Sequence, residues 1–274
     1  MNPATLKPLN FFSGTKPRII GHRGAAGEAP ENTLPSFERA LADGATIVEL
    51  DVRGTADGEV VVIHDATVNR TTNGRGRASR LTLAEIKRLD AGYWFSRDGG
   101  STYPYRGRRI EIPTLAELFS SFPKIKAIVE IKQSNPPMVK RVIDVIRAAG
   151  KESDVLLATE EDEIMTGIRA GLGESVPAMA TGFCYGEVAA FVAWLERGGS
   201  ETYQPPGHAM QLPCEFGGRT LVSATTLKAA HDLGVEMFVW TINDPAEMDR
   251  LLGLGVDGII TDYPGRLRAL PAIQ

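Results

Sequence analysis

Short apolar runs alternate with amphipathic stretches along the whole chain. The runs Arg18–His22, Thr46–Val52, Ala127–Lys132, Val155–Thr159, Ala178–Thr181, Ala209–Leu212, Met237–Thr241 and Gly258–Asp262 are short and nearly all apolar. That is the pattern of parallel strands buried on both faces. Between them, apolar residues recur with the period of a helix that buries one face. Met138–Ala149 puts Val139, Val142, Ile143 and Ile146 together and is closed by Gly150. Asp244 and Pro245 read as the N-cap and first-turn proline of a helix carrying Met248, Leu251 and Leu252. Pro35–Ala42, Thr114–Phe122, Glu187–Arg197 and Thr225–Leu233 read likewise. Eight strands, each followed by a helix, predict an α/β fold: a (β/α)8 or TIM barrel, one domain over residues 1–274. A doubly wound open sheet has the same alternation, and counting does not separate the two.

Residues 65–112 break the rhythm, being far longer than a normal strand-to-helix connection. They predict a small inserted subdomain after the second strand, with a short helix at Thr82–Leu89. From Arg70 to Arg109, nine arginines and one lysine stand against Glu85, Asp90 and Asp98, a local charge of +7. This is either a solvated basic surface or a lid that attracts an anionic substrate or a membrane surface. Tyr93-Trp94-Phe95 reads as a small apolar core for the insertion, with a membrane-touching cluster as the alternative.

Composition narrows the class. Of 274 residues, 43% are apolar and 23% charged, enough to bury a core and too apolar for a disordered chain. A net charge of −4 gives no general reason to expect nucleic acid as a partner. No uninterrupted apolar run is long enough for a membrane span. Cys184 and Cys214 make neither a disulfide framework nor a Cys-x-x-Cys site, though one disulfide between them stays open. Met1–Pro17 lacks the apolar core of a secretory signal, so the cytoplasm is the expected compartment.

Reactive groups of such a barrel gather at the C-terminal ends of its strands. The first strand ends in His22-Arg23-Gly24 and the second contains Glu49-Leu50-Asp51. A turn at Asp57-Gly58 then returns the chain through Val60–Ile63 to His64-Asp65, and the third strand ends in Glu130-Ile131-Lys132. Residues i and i+2 of a strand share a face, so Glu49 and Asp51 project together, as do Glu130 and Lys132. Turned inward they would be buried, which is costly unless they are paired or bind a cation. An internal salt-bridge network is the structural explanation. A divalent ion is the functional one, and all-oxygen ligands favour Mg2+ or Ca2+. His22 and His64 beside such an ion make an acid–base pair, while Arg23 and Lys132 suit a phosphoryl group. Together these predict metal-assisted cleavage of a phosphate ester. His231 reads as a packing or surface residue; His208 is ambiguous.

His22-Arg23-Gly24, Pro30-Glu31-Asn32-Thr33, Glu49-Leu50-Asp51-Val52, Asp57-Gly58 and His64-Asp65 resemble the glycerophosphodiester phosphodiesterases. So do Asn69-Arg70-Thr71-Thr72-Asn73-Gly74, Ile112-Pro113-Thr114-Leu115, Glu130-Ile131-Lys132, Val239-Trp240-Thr241 and residues 255–262. The resemblance runs from about Ile19 to Pro264, and is weakest over Ala158–Gln204. It implies His22 and His64 as catalytic histidines and Glu49, Asp51 and Glu130 as ligands of one divalent cation. It further implies Arg23 and Lys132 facing the phosphate, and Trp240 lining the glycerol side. The expected activity is hydrolysis of a small-molecule glycerophosphodiester to glycerol 3-phosphate and an alcohol, without stable membrane insertion. The rivals are a phospholipase D-like action on lysophospholipid or sphingomyelin, a non-catalytic binding protein on the same barrel, and a Schiff-base role for Lys132. Gly253-Leu254-Gly255-Val256-Asp257-Gly258 fits a dinucleotide glycine pattern but precedes a strand instead of following one, so it carries no nucleotide reading.

Overall fold

The computed structural model describes residues 9–173 and 179–273. Ala178 and most of the expected leaderless N-terminal segment (residues 1–8) lie outside them. Among the described residues, eight parallel strands form the barrel wall: β1 (Arg18–Gly21), β2 (Ile47–Gly54), β4 (Ala127–Ile131), β5 (Val155–Ala158), β6 (Ala180–Thr181), β7 (Ala209–Leu212), β10 (Glu236–Val239) and β11 (Gly258–Thr261). They follow the order β6-β5-β4-β2-β1-β11-β10-β7. The seam between β6 and β7 is closed by a parallel bridge, Gly182 to Ala209. His208 reinforces it: its N–H donates to the Thr181 carbonyl (2.8 Å), and its Nδ1 accepts from the Thr181 N–H (3.2 Å). Closure excludes the open doubly wound sheet, and His208 proves to be a seam residue. His231 is likewise structural, its Nε2 donating to buried Asp257 (2.8 Å) at the opposite end of the barrel.

The alternation of side chains along the strands explains both cores. On β2, Val48, Leu50 and Val52 point outward and pack under the helices, together with Val129 and Ile131 of β4. Ile47 and Ile128 point inward and join Ile20, Leu156, Phe238 and Ile260 in a separate cluster that fills the barrel interior. Phe11, from the segment before β1, is fully buried in that cluster. Further along β1, β2, β4, β7 and β11 the inward positions are then polar: His22, Glu49, Asp51, Glu130, Gln211 and Asp262. The hydrogen-bonded strands end before His22, Lys132, Thr159, Trp240 and Asp262, which sequence pattern counted as strand residues. His22, Lys132 and Trp240 still donate one backbone bond each to the neighbouring strand, at Thr261, Val52 and Leu212, and line the barrel mouth.

The helices α1 (Leu34–Ala42), α3 (Leu115–Ser121), α4 (Val139–Ala148), α6 (Tyr185–Glu196), α7 (Ala224–Asp232) and α8 (Pro245–Leu254) match the predicted segments to within two residues. Two were not predicted. In α5 (Asp162–Leu172) the apolar stripe Ile164, Met165 and Ile168 is interrupted by Thr166, Gly167 and Gly171, poor helix formers. The other, α9 (Pro264–Arg268), is barely more than a turn. Cys184 and Cys214 are both free thiols. No helix among the described residues is long and apolar enough to cross a membrane.

The insertion follows β3 (Val60–Val62), antiparallel to β2 and reached through the Asp57-Gly58 turn, where Gly58 takes φ +82°. Its expected helix shrinks to α2 (Leu83–Ile86), started by a Thr82–Glu85 capping box. Its core is Val61, Ile63, Val68, Ala78, Ile86, Ala91 and Ile112. Tyr93-Trp94-Phe95 lies outside that core. Tyr93, Trp94 and Tyr103 instead enclose Arg106, whose guanidinium lies 3.6 Å from the Tyr103 ring centre. Within the barrel, truncating the plug residue Phe11 to alanine is expected to cost about 3–5 kcal/mol of unfolding free energy in a urea titration. A loss under about 1 kcal/mol would show that the interior holds without it.

Candidate active site

The register of β2 and β4 sets Asp51 beside Glu130, and Glu49 lies one inward step below Asp51. One oxygen from each of Glu49, Asp51 and Glu130 lies within 4.8 Å of the others. Asp51 is 1% exposed and Glu49 6%. Burial, then the Asp51 charge, pushes the Glu49 carboxyl far above its ordinary pKa. Burial raises Glu130 as well, with the Lys132 ammonium opposing and Asp51 adding to the shift.

Nearby cations do not complete an internal network. Lys132 Nζ lies 2.6 Å from Glu130 Oε1, 3.8 Å from Asp51 Oδ1 and 3.9 Å from Glu160 Oε1. Burial disfavours its charge, but Glu130 and Asp51 outweigh burial and raise its pKa. A charged ammonium is the opposite of what a Schiff-base lysine needs. Arg23 has φ +49°, a left-handed backbone that aims its side chain back at Glu31 (2.9 Å) and Asp51 (3.2 Å). Toward the cluster, both cations are thus taken up by single carboxylate contacts, Arg23 Nε at Asp51 and Lys132 Nζ at Glu130 Oε1. Two cationic side chains among three crowded carboxylates leave Glu49 without a lysine or arginine partner among the described residues; its ion-pair contact is His22, at 4.0 Å. The donor set is all oxygen and fits a hard divalent cation.

Both imidazoles are held from behind by a carboxylate. His22 Nδ1 bonds Asp262 Oδ1 at 2.7 Å, and Asn243 Nδ2 donates to Asp262 Oδ2 at 2.6 Å. The His22 Nε2 faces inward, 4.0 Å from Glu49 Oε2. Burial lowers the His22 pKa, but the Asp262 bond and the Glu49 charge together raise it above its ordinary value. His64 Nδ1 bonds Asp65 Oδ1 at 2.7 Å. Arg70 donates to both Asp65 oxygens and holds that carboxyl well below its usual range. The same guanidinium makes a fork with Glu31 (2.7 and 2.8 Å), and Glu31 is also the partner of Arg23. The insertion thus reaches the site through Arg70. Its other basic residues are partly spent on internal pairs, Arg97 with Glu28 and Lys87 with Glu111 and Glu117.

These side chains line a cavity of about 200 Å3 at the C-terminal end of the barrel. Its opposite wall is apolar and includes Phe183, Trp240 and Ile260. All eight residues singled out in the sequence therefore meet in one pocket: His22, Arg23, Glu49, Asp51, His64, Glu130, Lys132 and Trp240. Residues 22–266 match the model of the glycerophosphoryl diester phosphodiesterase family. The chain belongs to this family. It is 32% identical to a glycerophosphodiester phosphodiesterase of Caldanaerobacter subterraneus, across 92% of this chain and 96% of that protein. A Bacillus subtilis glycerophosphodiester phosphodiesterase is 30% identical, over 93% and 86% of the respective chains. Among solved structures, an Oleispira antarctica phosphodiesterase in complex with the product sn-glycerol-3-phosphate superposes with a TM-score of 0.76. It shares 27% identity, over 94% of this chain and 96% of that one. The phosphodiesterase fold and the carboxylate cluster are thus joined in one enzyme.

Sequence reasoning missed the groups that orient the site. Asp262, Asn243, Asp65, Glu31 and Arg70 stood within or beside quoted motifs without a role. Asp262 was findable by parity, since it lies two residues beyond inward-facing Ile260. Asn243 and Arg70 were not, because each acts across the fold.

Glu49 and Glu130 titrate above the ordinary carboxyl pKa of 4.5 in the folded, metal-free protein. Between that value and their raised values the folded state keeps protons that the unfolded chain has lost. Stability of the EDTA-treated protein is therefore expected to fall as pH rises from 5 toward neutrality. Glu49→Gln is expected to flatten that slope in urea titrations; a slope unchanged by the substitution would contradict the cause given.

Proposed function

We propose that the enzyme hydrolyses glycerophosphodiesters to glycerol 3-phosphate and an alcohol, with one divalent cation held by Glu49, Asp51 and Glu130. One observation carries this reading: two carboxylate-backed imidazoles stand beside three carboxylates whose oxygens converge within 4.8 Å. Bound Mg2+ or Ca2+ would supply Lewis-acid charge to the phosphoryl oxygens. Arg23 and Lys132 hold the anionic phosphodiester and offset charge that grows on it. Asp262 and Asp65 fix the Nδ1 of His22 and His64, which leaves each Nε2 to move a proton. One histidine takes the proton of the attacking oxygen and the other gives one to the leaving alcohol. Trp240 and Phe183 provide the apolar wall against which the glycerol carbons lie. The product named for the Oleispira enzyme supports the same bond being cut here. Barrel and insertion act as a single catalytic domain, tied together by Arg70 at Glu31 and Asp65.

With glycerophosphocholine as substrate and released glycerol 3-phosphate as readout, His22→Gln and His64→Gln are each expected to lower kcat by about 10²–10⁴. KM should change little. Chelation should abolish turnover and a divalent ion restore it. Full turnover by either variant would remove that histidine from the mechanism.

A further inference from the structure

The mouth of the catalytic pocket is asymmetric. Phe183, Gln211 and Trp240 carry one side on into an apolar groove between α6 and a hairpin, β8 (Glu215–Phe216) and β9 (Arg219–Thr220). On the other side, Lys132 is shared with a polar cavity of about 270 Å3. That cavity is walled by Arg53 of β2, Ser134 and Asn135 after β4, Arg77 and Ser79 of the insertion, and Glu161 before α5. The strand order explains the separation. Round the closed wall, β4 and β10 stand four places apart in either direction, so Lys132 and Trp240 lie on opposite sides of the mouth.

Charge in this cavity is not balanced from within. Arg53 lies on the inward face of β2, two residues past Asp51, and is half-buried. Its Nε donates to the His64 carbonyl at 2.7 Å. That bond fixes the guanidinium, and its two terminal nitrogens have no partner among the described residues. Asp51, Asp65 and Glu161 act on Arg53 from beyond ion-pair distance. Of these, Asp51 belongs to the carboxylate cluster, Asp65 is held by Arg70 and His64, and Glu161 is exposed. Arg77 lines the same cavity and likewise has no ion pair among the described residues. An unpaired arginine at the open surface is ordinary; a half-buried one beside a second cation is not. Other cations around the mouth have carboxylates: Arg23 and Arg70 share Glu31, Arg97 takes Glu28 and Lys132 takes Glu130. A guanidinium fork with unpaired N–H groups in a polar recess matches the geometry of a phosphate.

We propose that this cavity is a second anion subsite, in which Arg53 and Arg77 take a phosphomonoester carried by the leaving alcohol. The inference rests on the preceding reading, in which the glycerol carbons lie against Phe183 and Trp240. The scissile phosphate then sits between that wall and Lys132, and the alcohol departs on the Lys132 side, toward the polar cavity. Ser134 and Asn135 offer hydrogen bonds to its remaining hydroxyls. The favoured substrates are therefore glycerophosphodiesters of a phosphorylated polyol. The bond changes are those of hydrolysis. A water oxygen joins the phosphorus, the P–O bond to the polyol breaks, and the polyol oxygen takes the proton that the water gives up. The products are glycerol 3-phosphate and the polyol phosphate. Arg53 and Arg77 become the residues that set leaving-group preference, and neither belongs to the motifs that carry the family resemblance.

Glycerophosphoinositol and glycerophosphoinositol 4-phosphate differ by the second phosphate alone, and both are assayed on the full chain with saturating divalent cation. KM is expected to be about ten- to a hundredfold lower for the phosphorylated substrate, with little change in kcat. That ratio should shrink as NaCl is raised, because the subsite is partly open to solvent. Arg77→Gln, at the surface, is expected to cut the ratio about tenfold, and Arg53→Gln at least as much. Comparing the two substrates within each variant cancels any effect that Arg53→Gln has through the His64 carbonyl, and Arg77→Gln gives the test if Arg53→Gln fails to fold. Equal KM values, with both substrates cleaved, would overturn the proposal alone, as would a ratio that both substitutions leave intact. Equal KM values together with inhibition by inorganic phosphate that Arg77→Gln removes would assign the cavity to a free anion, which also overturns it. No turnover of either substrate with any divalent ion would overturn the parent reading as well.

Discussion

Three carboxylates, two buried and one partly exposed, whose oxygens converge within 4.8 Å are the constraint around which the rest of the barrel is arranged. Like charges so close in a poorly solvated place repel, and the protein answers by holding protons there when nothing else neutralises them. Such an arrangement is a stability cost that a well-packed apolar core would avoid. It persists at the top of a barrel filled below by an apolar cluster, from Phe11 through Ile47, Ile128 and Phe238. The same strands supply both layers, because every second residue points inward. Strength is concentrated below and reactivity above.

Around that cluster, the orienting bonds form two chains. One runs from Asn243 through Asp262 to His22; the other runs from Arg70 through Asp65 to His64. The second chain also branches through Glu31 to Arg23, so one guanidinium of the insertion sets both an imidazole and the arginine beside the carboxylates. This gives the insertion a mechanical part in the site that its positive charge alone did not reveal.

Much of the barrel was legible because its signals are local. Apolar runs such as Ile128–Ile131 and periodic stripes such as Val142, Ile143 and Ile146 need no knowledge of neighbours, and the same-face pairing of Glu49 with Asp51 follows from strand geometry. Their convergence with Glu130 needed the β2–β4 register, which depends on the chain leaving β2 through a hairpin and returning through the insertion. The apolar pattern carries the strands on to His22, Lys132 and Trp240 because each directly follows the strand and still donates one backbone bond to its neighbour, while its side chain lines the mouth. The α5 helix was hidden by Gly167 and Gly171, and the role of His208 by its position in a Pro/Gly-rich loop. The aromatic triplet at Tyr93 reads as a core because Arg106, thirteen residues away, is what Tyr93 and Trp94 enclose, and Phe95 packs on Tyr105.

Calorimetric titration of the metal-free protein with Mg2+ and Ca2+, in two buffers of different ionisation enthalpy, tests the carboxylate cluster most directly. One site should fill, with protons released to the buffer as Glu49 and Glu130 give them up, and Asp51→Asn should abolish the heat. Metal binding that Asp51→Asn leaves intact, or none at all in a protein that still cleaves glycerophosphodiesters, would contradict the account.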